Sequence, residues 1–245
     1  MAELTEGSKQ ATVERVVVTG PDGTPVDAIH ATPDGGATTG VVVHPDIMGI
    51  RPLFDDLCRR LATHGFAVTC PEPFVRAPDD VRGADEPTGR MAYVGQLDDE
   101  QQLGDLVASA DWLAEHDSVE PVHVIGFCMG GMQTLKAAAT GRFGRAVAFY
   151  GMIRLPDDWR GPRFREPLDT IADVCPTLAI FGGNDHFTPA PDIDALRAAW
   201  RDRADCEIVV YPDAEHGFVH APERPAHRAD EAADVWPRTL AWLDT

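Results

Sequence analysis

The chain has 245 residues, with 21 basic side chains against 40 acidic ones, for a formal net charge of −19. A surface that acidic repels nucleic acid and anionic lipid, because phosphate contacts need Lys and Arg, and no apolar run approaches the ~20 residues of a membrane-spanning helix. The five cysteines are odd in number, dispersed and without a CxxC pair, which argues against a disulfide framework or a zinc site and fits a reducing cytoplasm.

Residues 1–12 lack the apolar stretch of a secretory leader and read as a disordered tail. From residue 13 to 245 the pattern reads as one domain. Two β-branched stretches, 14–19 and 26–32, flank the turn cluster Gly20-Pro21-Asp22-Gly23-Thr24 and predict a hairpin. GVVVH over 40–44 is a continuous apolar run, as a strand buried on both faces requires. Phe54, Leu57, Cys58 and Leu61 recur at helical spacing over 54–64, and Gly65 stands where a C-cap is expected. A strand follows at 66–70. Residues 71–95, rich in Pro, Gly and Asp, read as a long irregular loop of the kind that carries function.

Further along, helix is predicted over 97–115, strand over 121–125 and helix over 129–139. Strand returns at 146–150, and 152–170 reads as irregular. The last elements are strand 177–181, helix 192–203, strand 206–211 and helix 228–243, which Pro237 is expected to kink. A hairpin followed by alternating strand and helix implies an α/β fold with a mostly parallel sheet covered by helices on both faces.

Gly126-Phe127-Cys128-Met129-Gly130 lies between a predicted strand and a predicted helix. It fits the glycine–x–nucleophile–x–glycine elbow, with Cys where Ser is usual. The helix start favours a thiolate through its dipole, and the Met129 N–H would face a developing oxyanion. The competing reading is a glycine-rich turn holding an ordinary buried thiol. Asp185, in GGNDH, and His216, in EHGF, each follow a predicted strand. The order Cys128, Asp185, His216 is the nucleophile–acid–histidine order of α/β-hydrolases, which favours the catalytic reading. His44 and His123 lie within strands, His30 and His64 lack the order, and His186 and His227 lack the strand-end glycine setting. In HPDIMG, after the first buried strand, the Ile47 N–H is the candidate second oxyanion donor and Asp46 lies close to the nucleophile.

HPDIMG, CPEPFVR, GFCMGG, FGGNDHFTPAP and EHGF together resemble the dienelactone hydrolases, or carboxymethylenebutenolidases, over most of the chain. The resemblance implies an α/β-hydrolase fold and a Cys-His-Asp triad that needs no metal and no cofactor. It also implies hydrolysis of a small unsaturated lactone or ester through a thioester. Asp46 stands where the family usually has Glu beside the thiol. His220 stands where the family has an arginine that binds the substrate carboxylate. Arg90 and Tyr93 are the pair nearest to the family's second carboxylate site, and Arg76 matches a family arginine in CPEPFVR. The arginines Arg154, Arg160, Arg163 and Arg165 either supply another anion clamp or cover a solvated loop. A general carboxylesterase or thioesterase on the same residues is the nearest alternative, and a non-catalytic ligand-binding relative is the next. The expected state is monomer or homodimer.

Overall fold

In the computed structural model, which describes residues 4–244, eight strands form one sheet in the order β1-β2-β4-β3-β5-β6-β7-β8. The hairpin β1 (Ala11–Thr19) and β2 (Pro25–Pro33) is antiparallel, and β2 joins β4 (Ala67–Pro71) antiparallel. From β4 onward the sheet is parallel, through β3 (Gly40–His44), β5 (Val122–Phe127), β6 (Ala146–Phe149), β7 (Thr177–Gly182) and β8 (Cys206–Tyr211). Every residue of the five strands from β3 to β7 is buried, which explains their unbroken apolar runs.

Alternate side chains of these strands enter two cores. Val41, Val43, Ile125 and Phe127 pack with α1 (Pro52–Thr63) and α7 (Ala229–Leu243) through Phe54, Leu57, Leu61, Val235 and Trp236. Val42, Val122 and Val124 face the other way. There they meet Leu106, Ala110 and Leu113 of α4 (Asp99–His116), Leu135 of α5 (Met129–Ala137), and Ile193 and Leu196 of α6 (Ala190–Ala199). Pro52 opens α1, where its missing N–H costs nothing. The last helix runs past Pro237 as one element.

Two expectations need correction. The segment expected to be a disordered tail is ordered from Leu4 onward, and residues 1–3 lie outside the described residues. Leu4 is fully buried in the first core. The Gly7 N–H donates to Thr63 Oγ1 at 2.7 Å, and the Lys9 N–H to the Thr63 carbonyl at 3.0 Å. The end of α1 thus offers this segment acceptors and an apolar slot, and β1 begins at Ala11.

The stretch 71–95 is not an irregular loop. It holds α2 (Asp79–Arg82), α3 (Pro87–Tyr93) and a 3-10 turn at Val94–Gln96. It is organised by a third cluster, in which Phe74, Val94 and Leu97 pack with Met129, Met132, Met152 and Trp159. That cluster joins 71–97 and 152–164 to the start of α5. Residues 152–170 stay largely irregular, as expected, with short 3-10 turns.

Candidate active site

Cys128 stands between β5 and α5 with φ 58° and ψ −118°. A non-glycine residue in this region stores backbone strain, which persists where the surroundings over-determine it. Two glycines allow it. A Cβ on Gly126 would lie 2.2 Å from the Gly130 carbonyl oxygen, and one on Gly130 would lie 2.3 Å from that of His44. The Cys128 N–H donates to the Phe149 carbonyl at 3.0 Å, pinning the turn to β6. Met129 is the first residue of α5, so its N–H is one of the donors a helix start leaves unpaired.

His216 and Asp185 come from loops after β8 and β7. His216 Nδ1 lies 2.7 Å from Asp185 Oδ2, both side chains buried. The Phe187 N–H donates to Asp185 Oδ1 at 2.8 Å and orients the carboxylate. Phe187 and Tyr150 meet the His216 ring edge-on at 4.8 and 5.2 Å. Burial works against a charged ring, but negative charge at Cys128 and the Asp185 carboxylate outweigh it and raise the His216 pKa to about 10. The buried Nε2 makes no hydrogen bond of ordinary geometry. Contacts of this kind commonly tighten only when substrate is in place.

Cys128, His216 and Ile47 line one cleft of about 120 Å³ that is open to solvent. Its walls are apolar, formed by Ile47, Pro87, Met91, Met152, Trp159 and Phe187, and besides Cys128 and His216 its ionisable lining groups are Asp46 and Arg224. The Met48 N–H and Gly49 N–H turn onto Asp46, at 2.9 Å to Oδ1 and 3.0 Å to the carbonyl, so this turn does not consume the Ile47 N–H.

Asp46 is held from three sides. Arg51 grips it with two nitrogens at 2.6 and 2.7 Å, and His220 Nε2 lies 2.8 Å from Oδ2. Burial pushes this carboxyl up, but His220 and the Arg51 guanidinium prevail and hold it well below the usual carboxylate range.

The other residues expected to meet substrate lie elsewhere. His220 is fully buried, with Nδ1 against the Tyr150 hydroxyl. Burial lowers its pKa despite Asp46, so the ring is neutral, accepting from Tyr150 and donating to Asp46. It supports Asp46 from behind instead of facing the cleft. Arg76 is occupied by two carboxylates, Asp105 at 2.6 and 2.9 Å and Asp22 at 2.8 and 2.9 Å. Arg90 is buried on the Phe74 ring and turned to Glu72 and the Arg82 carbonyl. Tyr93 lies in a separate surface groove with Leu97 and Arg163. The arginines of 154–165 lie outside the cleft: Arg154 pairs with Asp192 at 3.3 Å, Arg160 with Asp157 at 3.2 Å and Arg163 with Asp98 at 2.9 Å, while Arg165 lies 4.0 Å from Glu100. Besides His216, the basic side chain that lines the cleft is Arg224. It stands in an irregular segment eight residues after His216, and no motif in the sequence singles it out.

This fold recurs in known proteins. The model of the family described as "Dienelactone hydrolase family" matches residues 26–245, nearly the whole chain. The chain belongs to the dienelactone hydrolase family. A "Putative carboxymethylenebutenolidase" of Escherichia coli K12 is 36% identical over 222 residues, covering 88% of this chain and 81% of that protein. A Bradyrhizobium protein named "Probable 2-oxo-3-(5-oxofuran-2-ylidene)propanoate lactonase" is 27% identical, over 85% of this chain and 84% of its own. Among solved structures, a "Putative Dienelactone Hydrolase" from Klebsiella pneumoniae superposes with a TM-score of 0.87 at 32% identity, covering 96% of this chain and 99% of that one. Dienelactone hydrolases have the α/β-hydrolase fold, and membership makes this chain a carboxylic-ester hydrolase of the carboxymethylenebutenolidase type. No helix among the described residues is long and apolar enough to cross a membrane.

Proposed function

We propose that the protein opens a small unsaturated lactone that carries a carboxylate, with Cys128 as nucleophile. The observation that carries this is the placement of His216, bonded through Nδ1 to Asp185 and sharing one apolar cleft with Cys128 on its strained turn. The Cys128 sulfur attacks the lactone carbonyl, and the oxygen that gains charge accepts the Ile47 and Met129 N–H groups. The ring C–O bond breaks and the enolate leaves, taking its proton from His216. Water then attacks the thioester with its proton passing to His216, and the sulfur departs. Asp185 keeps the imidazole oriented throughout. Activated lactones and esters suit a thiolate, because their leaving groups need little protonation.

Arg224 supports the acidic substrate. It is a permanent cation in the lining of a cleft whose walls are otherwise mostly apolar, and guanidinium matches carboxylate geometry. The name of the Bradyrhizobium relative describes such a ligand, a furanone lactone bearing a propanoate. A general esterase on the same residues is the second reading, favoured by the apolar walls. Turnover of p-nitrophenyl acetate against a carboxylate-bearing dienelactone separates them. The lactone should have the higher kcat/KM; equal or better use of the neutral ester would favour the esterase.

A further inference from the structure

Outside the cleft, a cluster of side chains joins the hairpin to the end of α4. His30 of β2 stands directly opposite Glu14 of β1 in the antiparallel register. Its ring is buried, with Nδ1 3.1 Å from Glu14 Oε1 and Nε2 2.9 Å from Asp117 Oδ2. His116, the last residue of α4, is exposed and sits edge-on to His30 at 5.3 Å. It is stacked on Trp112 at 4.3 Å with 13° between the planes.

Both nitrogens of His30 therefore face carboxylate oxygens, which only accept. A neutral imidazole carries one N–H, so one nitrogen lone pair meets a carboxylate lone pair. A second proton on the ring removes this conflict, and so does a cation shared by Nε2 and Asp117. With Nδ1 protonated toward Glu14, the Nε2 lone pair is aimed at Asp117. This is the carboxylate–histidine–metal arrangement, in which an outer carboxylate fixes the tautomer of a ligating ring.

We propose that His30 Nε2, His116 and Asp117 bind a divalent transition-metal ion of the Zn²⁺ class, with Glu14 orienting His30. The candidate ligand atoms of the three residues all lie within 4.8 Å of one another. A tetrahedral Zn²⁺ with bonds of about 2.0–2.1 Å holds its ligands ~3.3 Å apart. His30 Nε2 and Asp117 Oδ2, at 2.9 Å, need to part by ~0.4 Å to reach this spacing, and the exposed ring of His116 moves in to close the third edge. Two imidazoles and one carboxylate suit Zn²⁺, Ni²⁺ or Cu²⁺ over Mg²⁺ or Ca²⁺. The ion would tie β1 and β2 to α4 and stabilise the folded chain by binding it selectively. None of these residues lines the cleft, so the site stands or falls apart from the proposed reaction.

Zn²⁺ is titrated calorimetrically into the Cys128→Ala chain, which lacks the rival thiol–imidazole pair of the cleft. One equivalent should bind and raise Tm. Glu14→Gln should weaken binding about 10–100-fold, and His116→Ala at least as much, with loss of the Tm shift. His116 is exposed at a helix end, so His116→Ala should fold, and circular dichroism checks this. Absence of binding to Cys128→Ala would overturn the proposal and leave a proton on His30 as what settles the two carboxylate contacts. Zn²⁺ binding that His116→Ala leaves unchanged would also overturn it.

Discussion

His220 Nε2 and Asp46 Oδ2 meet at 2.8 Å across 174 residues of chain. The contact ends a buried line that runs from the Tyr150 hydroxyl through a neutral His220 to a carboxylate already gripped by Arg51. It fixes Asp46, and with it the turn that presents the Ile47 N–H, against the cleft holding Cys128.

Replacing His220 with Phe keeps a flat aromatic ring but removes a hydrogen bond to a buried charge, worth about 1.5–3 kcal/mol. Urea unfolding should register that loss. Asp46 should then titrate higher. Its depressed pKa contributes stability that is present above the unfolded value of 3.8 and is lost as pH falls below it. His220→Phe should therefore narrow the stability gap between pH 7 and pH 3. An unchanged gap would mean that His220 does not support Asp46.

Arg76→Ala should cost stability and leave substrate binding alone. The substitution leaves Asp105 buried without its cation, a change of about 3–5 kcal/mol. KM for a carboxylate-bearing lactone should match that of the unaltered chain. A several-fold rise in KM would return Arg76 to the substrate site.

Arg224→Gln should separate charged from neutral substrates. Loss of a charge-assisted bidentate contact, about 1.5–3 kcal/mol, lowers kcat/KM for the acidic lactone roughly ten- to hundredfold. Turnover of p-nitrophenyl acetate should hardly change. Equal losses on both substrates would assign Arg224 a structural role.

The pH dependence follows from His216. Its pKa is raised on folding from 6.5 to about 10. The stability contributed by the charged ring is complete below 6.5 and is lost as pH climbs through about 10. The alkaline limb of kcat/KM should fall near that upper value, where the ring ceases to donate. In Cys128→Ala the negative charge is gone while burial remains, so the His216 resonance should titrate at much lower pH by NMR. An unchanged titration would remove Cys128 as the partner.

The legible parts of the molecule were those whose chemistry is local. Strands such as GVVVH announce themselves because both faces are buried, and Gly126 and Gly130 are two residues either side of the cysteine they accommodate. Cys128, Asp185 and His216 could be picked out because each follows a strand. Arg76 and His220 could not be placed, because Asp22, Asp105 and Asp46 lie far along the chain and claim them only after folding. Arg224 carried no signal, since its position depends on the path of an irregular segment. Residues 4–10 looked like a tail because what orders them is the end of α1, not any periodicity of their own.

The role of Cys128 is tested most directly by intact-mass analysis of enzyme quenched during turnover of an activated ester. The expected result is one acyl group on the chain, mapped to Cys128, and neither adduct nor turnover in a Cys128→Ala variant that remains folded by circular dichroism. Undiminished turnover by Cys128→Ala would contradict the assignment.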